Sequence, residues 1–183
     1  MTIRRPPDRY DAMTIFLHWL TVALVAFLWI GARTLDWLPA GPSRADGRSL
    51  HIVVGLMFGA LGGARLVWRL SFGRPLPVSD AGWMGAVAKV SHAALYAMLA
   101  AMVCIGILLA WTGGDSLFNA LPAPILSADA KDLVHQLTAL HDDLGWAILA
   151  LAGLHTLAVL YHHHVLRDAV LGRMLPAARA PPR

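Results

Sequence analysis

Nine histidines stand in a chain with no glutamate and a single cysteine, so imidazole nitrogen is the abundant donor for binding a metal. His18, His51, His92, His141 and His155 fall inside long apolar runs, and His162, His163 and His164 close the last run. An ionisable group inside an apolar span is costly and marks a functional site, although a lone one is equally well explained by an interhelical hydrogen bond. His141 and His155 are 14 residues apart, which in a helix is roughly 21 Å of rise and about 40° short of four full turns. Both rings therefore look out of one stripe, one near each end.

That spacing proposes two pairs. His51 would meet His141 near one membrane face, and His18, about six residues or roughly 9 Å into its run, would meet His155 near the other. Each pair joins two helices at one depth, as the axial ligands of one iron must, and neutral imidazole is a standard haem ligand. His92 lies three residues past Lys89, shallower than His155, and is the best substitute for His18. His135 is about 200° around the helix from His155 and is placed in a connection. Zinc is the rival metal, but each level offers two histidines and no carboxylate or thiolate, against the three or four ligands zinc takes.

Other residues carry two readings each. Gly55, Gly59 and Gly63 would let a porphyrin approach the backbone, or would serve ordinary small-residue helix packing. Arg65 and Arg69 would pair with propionates of the inner haem or reach the membrane surface. His162 lies within about 20° of the His155 stripe; with His92 it would line a quinone pocket beside the inner haem, or simply belong to an interfacial helix end. Cys104, mid-run, reads as a small buried hydrophobe.

The elements that position these residues follow from composition. The chain is 57% hydrophobic and 14% charged, against about 25% charged in soluble domains. Lipid is the solvent this implies. A span needs about 20 apolar residues, and four are available: about 12–32, 49–70, 90–114 and 140–166. The first carries 21 uncharged residues after Arg4, Arg5 and Arg9, longer than a signal sequence, and no small-x-small site follows it. The fold class expected is all-α, a four-helix transmembrane bundle forming a single domain over residues 1–183. Between the spans lie Pro39–Pro42, Gly73–Pro77 and the segment from Gly113 to Pro124. Ser127-Ala128-Asp129 would cap a short interfacial helix, and the tail from Pro176 onward is expected to be disordered.

Eleven of the fifteen Lys/Arg fall in the two tails, the second connection and the end of the second span that leads into it (Arg65 and Arg69), which puts both termini in the cytoplasm. Tryptophans 29, 37, 68, 83, 111 and 146 sit near span ends, as interfacial anchors do. The net charge of +4 is scattered between apolar runs and not clustered on a polar face, which excludes nucleic acid as partner.

The motifs taken together resemble the bacterial cytochrome b561 family over residues 9 to about 176. Ile15-Phe16-Leu17-His18-Trp19-Leu20 is similar to its first-span motif, and Leu50-His51-Ile52-Val53-Val54-Gly55 to its second. Arg65-Leu66-Val67-Trp68-Arg69-Leu70 and Ser91-His92-Ala93-Ala94-Leu95-Tyr96 resemble the next two. His141-Asp142-Asp143-Leu144-Gly145, Gly153-Leu154-His155 and His162-His163 resemble its last helix. The resemblance implies a multi-pass protein of the bacterial inner membrane with two b haems, held by His18, His51, His141 and His155, and makes His162 a quinone-pocket residue. Members of this size resemble superoxide oxidases, implying superoxide oxidised at the periplasmic haem and ubiquinone reduced through the other. The alternative is an electron-transfer subunit linking quinol to a periplasmic redox protein. One feature sits against a superoxide enzyme: the predicted periplasmic segments hold Asp36, Asp46, Asp115, Asp129, Asp132, Asp142 and Asp143 against Arg33, Arg44, Arg48 and Lys131, where an anion is steered by positive charge.

Overall fold

Each long helix is set by an apolar run and by what interrupts it. α1 (Ala12–Thr34) starts at Asp11, whose carboxylate accepts from the Thr14 amide at 2.9 Å, and it tightens into a 3-10 turn over Leu35–Trp37. Gly41, at φ 136°, lets the chain reverse, and Pro42 opens α2 (Pro42–Ser71) at the position where its missing N–H costs nothing. α3 spans Trp83–Gly113 and α4 spans Lys131–Tyr161, which continues as a π turn over His162–Leu166 before the short α5 (Val170–Arg173). The computed structural model describes residues 9–74, 76, 82–113, 116–118, 121–122 and 131–176. The Ser127-Ala128-Asp129 cap and the tail after Pro176 lie outside these.

Four helices are long and apolar enough to cross a membrane. The architecture is therefore the expected all-α transmembrane bundle. Two differences are local. α2, α3 and α4 begin well before their apolar windows, at Pro42, Trp83 and Lys131, because a helix of 30 residues is about 45 Å long and its ends project beyond a core of about 30 Å. His135, assigned to a connection, is consequently helical. A two-stranded antiparallel ladder, β1 (Ser116–Leu117) with β2 (Leu121–Pro122), also folds in the third connection.

Consecutive helices pack: α1 on α2, α2 on α3, and α3 most intimately on α4. Among the described residues α4 makes little or no backbone approach to α1 or α2. Long side chains close that seam at one end: Trp29 and Trp146 meet edge to face at 5.2 Å, and Arg33 pairs with Asp142 while lying over Trp146. Few apolar residues are buried (Ile15, Leu17, Phe58, Ala110 and Ile148 among those described), whereas Phe16, Met57, Val67, Leu154 and Leu157 are exposed. An apolar surface of this extent is stable only against lipid.

The two described chain ends meet at the opposite end of the bundle. The Tyr10 amide donates to the Arg173 carbonyl at 3.2 Å, and the Trp19 indole donates to the Met174 carbonyl at 2.8 Å. We call this the inner end and the other the outer end. Asp11 ties α1 to α2 here, its carboxylate also accepting from the Thr14 hydroxyl (2.7 Å), the Trp68 indole (3.0 Å) and the Arg74 amide (3.4 Å). Partial burial pushes this carboxyl up, but the bonds from Thr14, Trp68 and Arg74 outweigh burial and hold it at about 2, against an ordinary 3.8. A depressed carboxyl contributes stability above its unfolded value and loses it as pH falls through its folded value. Asp11→Ala is therefore expected to cost about 1–2 kcal/mol at neutral pH, seen as a lower thermal midpoint, with the deficit shrinking between about pH 4 and pH 2. An unchanged midpoint at neutral pH would remove the cap from the account.

Candidate functional site

His51 on α2 and His141 on α4 face each other at the outer end, with ring centroids 6.3 Å apart. Their helices do not pack together, so the rings bridge a gap between backbones. Nδ1 of each is buried without a hydrogen bond of good geometry, although the Leu28 carbonyl faces the His51 ring. Buried polar atoms are rarely left so. Behind His141 the α3 backbone comes close at Gly106, where a Cβ would lie 3.3 Å from the His141 ring. Any larger residue would press on the imidazole. Two residues before His51, Ser49 is 2% exposed; its hydroxyl donates to the Ala45 carbonyl at 2.9 Å and accepts from the Phe118 amide at 2.8 Å. This contact fastens the β1–β2 connection over the His51 end of α2, with Phe118 in the left-handed region at φ 51°.

At the inner end four side chains share one neighbourhood: His18, His92, His155 and Arg65. The ring packed on His155 is His92, with centroids 5.2 Å apart. His18 turns Nδ1 toward the Arg65 guanidinium at 3.1 Å, and Arg65 also lies 5.2 Å over the Tyr96 ring. His18 and His155 are half-buried, whereas His92 is exposed. Arg69 points elsewhere, stacked over Tyr10 and donating to the Arg74 carbonyl. His162 follows at the end of α4 with Nδ1 2.5 Å from the Asp168 carboxylate. Of the glycine stripe, Gly59 lies tight on Val103 of α3, while Gly55 and Gly63 have open space beside them. Cys104 is exposed and not buried as its apolar neighbours suggested.

These residues can be tested against a haem. A metal–nitrogen bond of about 2 Å on each side, plus the ring radius, puts two axial imidazoles with centroids roughly 6 Å apart. The outer pair has that separation, unspent ring nitrogens and a gap between backbones for a flat macrocycle. Among the described residues no three His, Cys, Asp or Glu converge as a tetrahedral metal site requires. The residues fit a haem.

Several functional contacts carried no recognised sequence signal. Asp11 was not singled out in the sequence; an aspartate just ahead of an apolar run is the signal that could have marked it as a cap, but nothing local marks its reach to Trp68. Ser49, the Arg33–Asp142 pair and Asp168 depend on where separate segments meet.

A bundle of four membrane-crossing helices with facing intramembrane histidines defines a membrane cytochrome of the b type. The profile of the family described as prokaryotic cytochrome b561 matches residues 9–177. The chain belongs to that family and is a multi-pass inner-membrane protein of the electron-transfer, haem b-binding kind. It is 30% identical to cytochrome b561 homolog 2 of Escherichia coli, over 96% of this chain and 95% of that protein. It is likewise 30% identical to the probable superoxide oxidase CybB of Yersinia pestis, over 93% and 98%. Cytochrome b562 of Cereibacter sphaeroides is 29% identical, over 91% and 94%.

Proposed function

We propose that this chain oxidises superoxide at its outer end and delivers the electrons through two b haems to ubiquinone at its inner end, with both termini cytoplasmic. The carrying observation is the α4 stripe: His141 and His155, separated by roughly 21 Å, each face a histidine cluster across a different end of one loosely closed bundle. The near full-length likeness to a probable superoxide oxidase supports the choice of donor.

His51 and His141 would hold the outer haem, and His18 and His155 the inner one. The choice of His18 over His92 rests on room. α3 and α4 pack too closely to admit a macrocycle between His92 and His155, while α1 and α4 stand apart. His92, exposed beside that site, suits a contact with a lipid-soluble quinone, together with His162. Arg65, which shares the inner cluster, would pair with a propionate; Arg69, stacked on Tyr10, would be the weaker partner. Each bound haem would supply a one-electron iron couple. The protein's own task is to hold the two ligand pairs at fixed depths and keep water from the space between them. The balance is two superoxide giving two dioxygen, with one quinone taking two electrons and two protons to become quinol.

Purified protein given enzymatically generated superoxide and a soluble ubiquinone should show haem reduction followed by quinone reduction. No haem reduction under that flux rejects the reading. The observation favouring a second reading is the outer rim: among the described residues Asp36, Asp46, Asp132, Asp142 and Asp143 outnumber Arg33, Arg44, Arg48 and Lys131, and Arg33 is paired with Asp142. An acidic rim would dock a basic redox protein. Electron exchange with such a protein that weakens as salt rises would favour that function.

A further inference from the structure

α4 does not end as a regular helix. After the π turn Arg167 takes the left-handed conformation at φ 53°, where glycine is usual and a long side chain is strained. Strain of this kind persists where neighbouring contacts over-determine it, and π turns recur at functional positions. The contacts here come from one residue. The Asp168 amide donates to the His162 carbonyl at 3.2 Å, Asp168 Oδ2 holds His162 Nδ1 at 2.5 Å, and Asp168 Oδ1 accepts from the Val170 amide at 3.0 Å. The His162 side chain is 13% exposed and that of Asp168 31%, so the pair runs from the protein toward the inner aqueous phase.

We infer that Asp168 is a positioning residue for proton delivery: it fixes the His162 imidazole through Nδ1, leaving Nε2 as the atom that hands protons to the reduced quinone oxygen. The inference rests on the quinone reading above. Each quinone that accepts two electrons from two superoxide must also take two protons, and none comes from superoxide. A proton leaving His162 Nε2 for the quinone oxygen leaves the neutral Nδ1–H imidazole held by Asp168, and water from the inner aqueous side returns a proton to Nε2, the carboxylate favouring the charged ring. His162 lies 7 residues beyond His155, roughly 10 Å along the axis, on the aqueous side of the inner cluster. Partial burial pushes the Asp168 carboxyl up, but the bonds from His162 and Val170 and the charges of His162 and Arg173 outweigh it and hold it below the ordinary range. It is therefore ionised at working pH. The other groups facing the dyad are the Tyr161 ring, 6.4 Å from that of His162, and Arg173 on α5, with His163 and His164 on the same turn.

The test uses haem-loaded protein, chemically pre-reduced and mixed with either ubiquinone-1 or ferricyanide between pH 6 and 9. Ferricyanide takes an electron without a proton, so it reads the haems alone. Asp168→Asn keeps an acceptor for the Val170 amide and removes the charge. It is expected to slow reoxidation by ubiquinone-1 at least ~10-fold and to change its pH profile, with the ferricyanide rate unaltered. Asp168→Glu should recover most of the rate. An unchanged ubiquinone-1 rate and profile in Asp168→Asn overturns the inference while leaving the quinone reading intact. Equal slowing with both oxidants, or equal slowing in the Glu variant, makes the residue merely structural and overturns it too. Wild-type protein that ferricyanide reoxidises and ubiquinone-1 does not would instead remove the quinone reading itself.

Discussion

Alanine in place of His141 is expected to leave a protein with about one haem per chain, against about two proposed for the unaltered chain. Under the proposed pairing the His141 imidazole is the ligand α4 would offer the outer iron, and no other histidine stands at that depth on the helix. The ring is braced by Gly106 behind it and faces His51 at 6.3 Å. Its removal leaves a void where the imidazole was and no second histidine at that depth on α4 to take over as ligand. Superoxide-driven quinone reduction should fall to background, because the proposed function has the donor meet the chain at the outer site. Haem per chain, measured by the pyridine adduct, decides it: two retained haems would contradict the outer pairing.

The second large effect separates the inner histidines. His155→Ala and His18→Ala are each expected to lose the inner haem, again leaving about one per chain. His92→Ala is expected to keep both and to slow only the transfer to quinone, by about 10-fold or more if its ring contacts the acceptor. The contrast has force because His92 is the ring that packs on His155, at 5.2 Å. If proximity alone chose the ligand, His92→Ala would lose the haem and His18→Ala would keep it. If room for the macrocycle chooses, the reverse follows, since α3 and α4 are close and α1 and α4 are not. Two haems surviving in His155→Ala would discard both versions.

Much of this architecture was legible because lipid leaves a simple signature. The four apolar runs became the four crossing helices, and the 14-residue interval between His141 and His155 translated into two levels because α4 is continuous from Lys131 to Tyr161. Hydropathy could not find the helix ends. It measures the apolar layer, whereas α2 and α4 run on into polar water-facing turns held by local bonds such as those from Arg44 to the Asp36 and Leu38 carbonyls. That is why His135 was misplaced. The inner cluster was half legible: depth paired His18 with His155 and left His92, read as shallower, as the substitute, whereas tertiary packing sets the His92 ring on that of His155. Asp168 was invisible, since its reach to His162 depends on a π turn and a left-handed Arg167 that no periodicity announces.

The unpacked seam between α4 and its two non-neighbours has a consequence for how the molecule is made. Three helix interfaces can form as the chain inserts, each between segments adjacent in sequence; the fourth has little backbone complementarity of its own. A prosthetic group gripped from both sides would weld that boundary, so its binding energy becomes closing energy and the finished barrel of helices is favoured in proportion to occupancy. Maturation would then be a late, post-insertion event through a side that is already ajar. A protease that cuts the cofactor-starved chain and spares the loaded one would register that difference, and equal resistance of the two would refute it.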